Sequence, residues 1–99
     1  RHLNFLQLTH MKIYTLINRN KVKVAKNNED FVNCMRKADF EEWENNEEFM
    51  KAYAYRKLIF EKIVINHNSI DEFVNDLQKN NILKIEKEKF AFFKYLNIF

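Results

Sequence analysis

Side chains able to bind a metal, attack a substrate or relay a proton are few in this sequence, and they are scattered. The 3 histidines are His2, His10 and His67. None belongs to an HxxxH or CxxC spacing that would aim two ligands at one ion. His67 falls between a β-branched run and a helix cap, the place of a turn residue bonded to backbone. Cys34 shares an apolar helical stripe with Phe31 and Ala38. Without a helix N-terminus or a base to lower its pKa, it reads as a packed thiol and not as a nucleophile. Glu41, Glu42, Glu44, Glu47 and Glu48 form an acidic run. Paired carboxylates would suit general acid–base chemistry. The acids lie early in a helical stretch, however, and Arg56, Lys57 and Lys62 lie late, which the helix macrodipole favours for structural reasons alone. No catalytic residue is nominated, and neither a metal nor a cofactor is implied.

Two constellations point to binding. Arg19, Lys21, Lys23 and Lys26 lie close together with Tyr14 nearby. Such a basic ribbon could follow a phosphate backbone while the ring stacks on a base. The same lysines would also serve as the solvated face of an edge strand, where they discourage unwanted pairing. The second constellation is DFEEWENNEEFMKAYAYRKLIFEK, residues Asp39 to Lys62, which holds the only tryptophan. Taken as one helix it is apolar on two sides. Phe40, Trp43, Met50, Ala54 and Leu58 form one stripe, and Phe49, Tyr53 and Phe60 fall nearly opposite. A surface helix of a small domain needs one stripe only. Two stripes predict a helix sandwiched within its own chain, or one side kept for a partner. On the second reading the interface comprises Phe49, Tyr53, Phe60 and Arg56, with Glu44 and Glu48 meeting a basic surface.

The elements that would position these groups are legible from periodicity. Met11 to Ile17 and Lys21 to Lys26 alternate, and Asn18-Arg19-Asn20 is a linker of hairpin length. That predicts a β-hairpin, with Asn at the positive-φ position. Asn27 or Asn28 caps a helix whose first turn holds Glu29 and Asp30. The helical region from Glu29 to Glu61 breaks once, at Asp39 or at Asn45-Asn46. The Asp39 position is preferred, although Glu47 falls inside the apolar stripe unless the break lies just before it. Lys62 to Asn66 is β-branched and predicts a strand. Asn68 or Ser69 caps a helix over 70–79, and Ile82 to Glu86 predicts a last strand, completing a β-α-β unit. The tail from Lys89 is rich in Phe90, Phe92, Phe93, Tyr95, Leu96, Ile98 and Phe99. A segment this apolar must dock on its own core or on another chain.

Composition narrows the class. A chain of 99 residues makes one domain, with a core but little room for a deep cavity. Residues 1–10 precede Met11, which could be a start residue, so they read either as cloning-derived or as a native strand or short helix packed through Leu3, Phe5, Leu6 and Leu8, with 11–99 as the single domain. No apolar run nears the roughly 20 residues of a membrane span. A lone cysteine suits a reducing cytoplasm, a host's included. Gly 0 and Pro 0 contrast with a usual share of roughly 12%. Lys, Asn, Ile and Phe, which have A/T-rich codons, replace them, as in an AT-rich bacterial or phage genome. Left-handed turns must then fall to Asn or Asp. The net charge of +3 permits nucleic-acid binding without requiring it.

The expected fold is therefore α+β. A small sheet, built from the hairpin and two short later strands, packs against a long aromatic helix and a shorter one. The expected function is a non-catalytic intracellular module that binds a protein partner, as a homo-oligomer or as a regulator or inhibitor of a larger protein. A nucleic-acid binder using the basic hairpin is the alternative, and a small nuclease or toxin-like enzyme the third. No small-molecule substrate is evident.

Overall fold

The computed structural model describes residues 11–86. Segment 1–10 and the aromatic tail lie outside the described residues, as do the expectations that concern them. Strands β1 (Lys12–Leu16) and β2 (Lys21–Ala25) form the predicted antiparallel hairpin around one 3-10 turn, Ile17–Arg19. The turn closes on Asn20 at φ 53°, ψ 38°. That is the left-handed region, which asparagine reaches more readily than most side chains. Helices α1 (Asn28–Ala38), α2 (Asn46–Glu61) and α3 (Ile70–Lys79) follow. Strand β3 (Leu83–Glu86) then returns antiparallel to β1, giving the sheet order β2-β1-β3.

The fold is the expected α+β arrangement, with one face of the sheet against the helices. Residues paired across strands share a face. Tyr14, Leu16, Ala25, Leu83 and Ile85 share one by this rule, and all five join the core with residues of the three helices. Tyr14 stacks on Phe31 at 4.4 Å between ring centroids. Its hydroxyl donates to Asn28 Oδ1 at 2.9 Å, and Asn28 Nδ2 donates to Asp71 at 3.0 Å. Burial, with Asp30 and Asp71 beyond it, pushes the Tyr14 pKa up to about 12. The phenol is thus a neutral donor that ties the sheet to α1, and through Asn28 to α3.

Each helix starts on a side-chain cap. Asn27 accepts from the Asp30 amide, Asn45 from Glu48 and Ser69 from Glu72. Each cap satisfies an amide that helix geometry leaves without a partner.

Three expectations need correction. First, Asp39–Lys62 is not one helix. The chain leaves α1 at Ala38 and re-enters helix at Asn46, so the preferred single break at Asp39 is instead a loop over 39–45. Side chains take the place of helical bonds there. Asp39 accepts from Trp43 Nε1 at 2.7 Å and from Arg56 at 3.1 Å. Arg36 donates to Asn46 Oδ1 at 2.8 Å and to the Trp43 carbonyl at 3.3 Å.

Second, residues 62–66 form no strand, and no parallel β-α-β unit exists among the described residues. The segment is anchored to helices, not to the sheet. The Ile63 amide donates to the Lys57 carbonyl at 3.1 Å, and the Asn66 amide to Asp76 Oδ2 at 2.7 Å. Its buried residue, Ile65, packs into the core. Branched side chains here serve packing, which β-propensity by itself does not separate from sheet pairing.

Third, left-handed positions do not all fall to Asn. Asn20 and Asn81 conform, but Lys62 has φ 58°. It follows the last turn of α2, and its amide donates to the Leu58 carbonyl at 3.1 Å. A side chain with a Cβ costs about 1 kcal/mol in this region. Lys62→Gly is accordingly expected to raise stability by about 0.5–1 kcal/mol. Urea midpoints on dilute protein would read that gain, and a loss of stability would contradict the assigned cap.

Candidate functional site

Helix α2 is buried on one side only. Phe49, Met50, Tyr53 and Ala54 face the chain's own core. At about 100° per residue they span one continuous arc, as wide as a core-facing helix needs. The two opposed stripes are therefore a misreading. Phe40 and Trp43 belong to the 39–45 loop; Met50 and Ala54 of one stripe merge with Phe49 and Tyr53 of the other into a single buried face, and Leu58 and Phe60 are left exposed.

The structure separates the residues of the predicted interface. Phe49 is 1% exposed and packs edge-on against Phe73 at 6.4 Å. Tyr53 lies 5.5 Å from Phe73, and burial pushes its pKa up to about 12. Neither ring is presented to a partner in the folded chain. Arg56 is held by Asp39 and lies over the rings of Phe40 and Tyr53, at 5.2 and 6.0 Å from their centroids. Glu44 lies before the helix, and its amide donates to Glu48 Oε1 at 3.1 Å, so both acids belong to the α2 cap. Phe60 is exposed, as a docking residue must be.

Opposite the buried arc lies an apolar surface of which the two stripes contained only Leu58. Tyr55 is 64% exposed, Leu58 47% and Ile59 51%, and Val64, at 75%, lines the same hollow as Tyr55 and Leu58; Phe60, 79% exposed, falls at the angle of Phe49 and Tyr53 instead. This hollow, a groove of about 670 Å³, runs between α2 and the extended segment after it. Trp43, Ala54, Tyr55, Leu58, Val64 and Ile65 supply its apolar lining. Glu48, Lys51 and His67 stand among its polar residues. The missed signal was present: 51, 52, 55, 58 and 59 repeat at the three–four spacing of a helix face.

The other candidate residues are not brought together as a chemical site. Arg19, Lys21, Lys23 and Lys26 are exposed around the hairpin. Tyr14, the ring expected to stack on a base, is fully buried and pairs in register with Lys23 on the core side of the sheet. Hence the basic ribbon has cations but not that aromatic platform. Cys34 is half-buried and unpaired. Among the described residues, no group of three or more His, Cys, Asp or Glu could hold a metal ion, and no helix is long and apolar enough to cross a membrane. A second hollow of about 560 Å³ beside α3 is polar, lined by Asn66, Glu72, Asn75, Asp76, Gln78 and Lys79. Its Asp76 already accepts from the Asn66 amide.

No family model matches the chain, and no curated protein or solved structure matches it either.

Proposed function

We propose that the protein is a small, non-catalytic interaction module. It binds a protein partner through the outward side of α2 and the adjoining groove. The observation that carries this is Tyr55, Leu58 and Ile59 exposed along one side of a helix whose other side fills the core. Contiguous apolar surface of this kind, rimmed by charge, marks docking sites on folded domains. Aromatic and aliphatic side chains at the centre of such a patch supply most of the binding energy when covered. A partner larger than this chain would make the protein a regulator or inhibitor. The unpaired Cys34 suits a reducing compartment such as the cytoplasm.

The test compares capture from the cells of origin by the wild-type chain and by Leu58→Glu. A carboxylate placed in the covered patch should lower retention of a specific protein at least tenfold, since burying an unpaired charge is costly. Leu58 is half exposed, so the free fold should melt within a few degrees of wild type. Equal retention by both chains, or no protein retained by either, would count against the module.

The exposed cations Arg19, Lys21, Lys23 and Lys26 support a second reading, contact with a nucleic-acid backbone. Each lysine that neutralises a phosphate would add about 0.9 to the slope of log affinity against log salt. Lys21→Gln with Lys23→Gln should flatten that slope, and an unchanged slope would remove this reading.

A further inference from the structure

The outward stripe of α2 has an internal symmetry that selects one partner. Its positions are Glu48, Lys51, Ala52, Tyr55, Leu58 and Ile59, and Lys62 follows at the C-cap. Against Tyr55 as origin, these positions lie within about 60° of one line along the helix. The stripe is about 21 Å long at 1.5 Å per residue. Turned end for end about Tyr55, it falls on itself. In a twofold antiparallel pair position 48 meets 62, 51 meets 58 and 52 meets 59. Each pairing is complementary. Glu48 meets Lys62, opposite in charge. The stem of Lys51 meets Leu58, as an aliphatic chain covering an apolar side chain. The small Ala52 meets the bulky Ile59, a recess for a knob. Tyr55 meets itself on the axis.

We propose that the occupant of this face is a second copy of the same chain, packed antiparallel α2 against α2 about a twofold axis at Tyr55. This rests on the interaction-module reading above and names its partner. A twofold interface needs self-complementary surface, since every contact from i to j is repeated from j to i. Antiparallel packing also sets each helix N-terminus beside the other's C-terminus, which the macrodipoles favour. The charged ends are available. Glu48 uses one carboxylate oxygen on the Glu44 amide and keeps the other. Lys62 is exposed, whereas Lys57 is already paired with Glu61 at 2.7 Å. The groove beside Leu58 and Val64 widens the contact on each side of the helix pair.

The experiment is sedimentation equilibrium of the full chain over a range of concentrations, with thermal melts of each variant as the folding control. The wild type should fit a reversible monomer–dimer equilibrium. Tyr55→Glu sets two carboxylates together on the axis and should abolish the dimer up to the highest soluble concentration. Lys62→Glu alone and Glu48→Lys alone each create two like-charge contacts per dimer, and each should weaken it about tenfold. Mixing these two variants restores opposite charges at both ends, so the heterodimer should recover wild-type affinity. A mixture no tighter than either variant alone would overturn the antiparallel geometry. A wild type that stays monomeric would overturn self-association itself. In that case, capture of a different protein that Leu58→Glu fails to retain would leave the interaction module standing with another occupant. Capture of nothing would end both.

Discussion

Phe73→Ala is expected to destabilise the protein by about 3–5 kcal/mol, the usual cost of emptying a fully buried phenylalanine site. Phe73 is completely shielded from solvent and stands between the elements that make the core. Its ring meets Tyr53 at 5.5 Å and Phe49 at 6.4 Å, both tilted steeply as aromatic edges prefer. It therefore couples α3 to the inner side of α2. A loss of this size is a large part of the 5–15 kcal/mol available to a small domain. The variant should unfold at much lower urea with little change in slope. Phe60→Ala is the internal comparison, because that ring is exposed. It should stay within about 0.5 kcal/mol of wild type when the protein is dilute. Similar losses for the two would show that the buried and the exposed rings have been assigned wrongly.

Asp39→Asn is expected to cost about 2 kcal/mol near neutral pH, the scale of a hydrogen bond to a charged group. Asp39 holds the 39–45 loop against α2 by accepting from Trp43 and Arg56. Burial by itself raises its pKa. The hydrogen bonds from Trp43 and Arg56 and the Arg56 charge outweigh that and hold the carboxyl below its ordinary value. Because the folded pKa is the lower one, the unfolded chain takes up this proton first as pH falls. The contribution is present above about pH 4, the ordinary aspartate range, and is lost as pH drops through the folded pKa. The gap between wild type and Asp39→Asn should therefore be constant near neutrality and close in acid. A gap that widens on acidification would contradict the assigned partners. The change should reach the outer face as well, because Trp43 both bonds to Asp39 and lines the groove.

Local signals in the chain were sufficient for most of the elements. The hairpin followed from alternation and from an asparagine-rich linker, because strand pairing needs a left-handed residue where Asn20 stands. Helix starts were legible to within a residue at Asn27 or Asn28 and at Asn68 or Ser69, because capping is a contact between residues three apart in sequence; the cap at Asn45 was one of two candidates, and Asp39 was preferred to it. The helix over 70–79 followed from both signals together. Long-range choices were not legible. Lys62 to Asn66 has the composition of a strand, yet its amides bond to Lys57 and Asp76. Nothing within five residues of sequence announces such partners. Asp39 to Asn45 continues a helical pattern, yet Arg56, 17 positions beyond Asp39, helps draw it out of the helix.

The candidate site divides along the same line. Sequence alone determined that the stretch ending at Lys62 carries more apolar surface than one core-facing stripe uses. It also determined the order of charge, from acids at its start to lysine at its end. Only the tertiary structure decided which apolar groups are spent inside. Phe49 and Tyr53 lie against Phe73 of α3, while Tyr55, Leu58 and Ile59 are left outside. The physical reason is that amphipathicity fixes the angles between side chains around a helix, whereas burial depends on which neighbour the helix is rotated against. That neighbour is set by contacts between residues twenty or more positions apart, and helical periodicity carries no record of them.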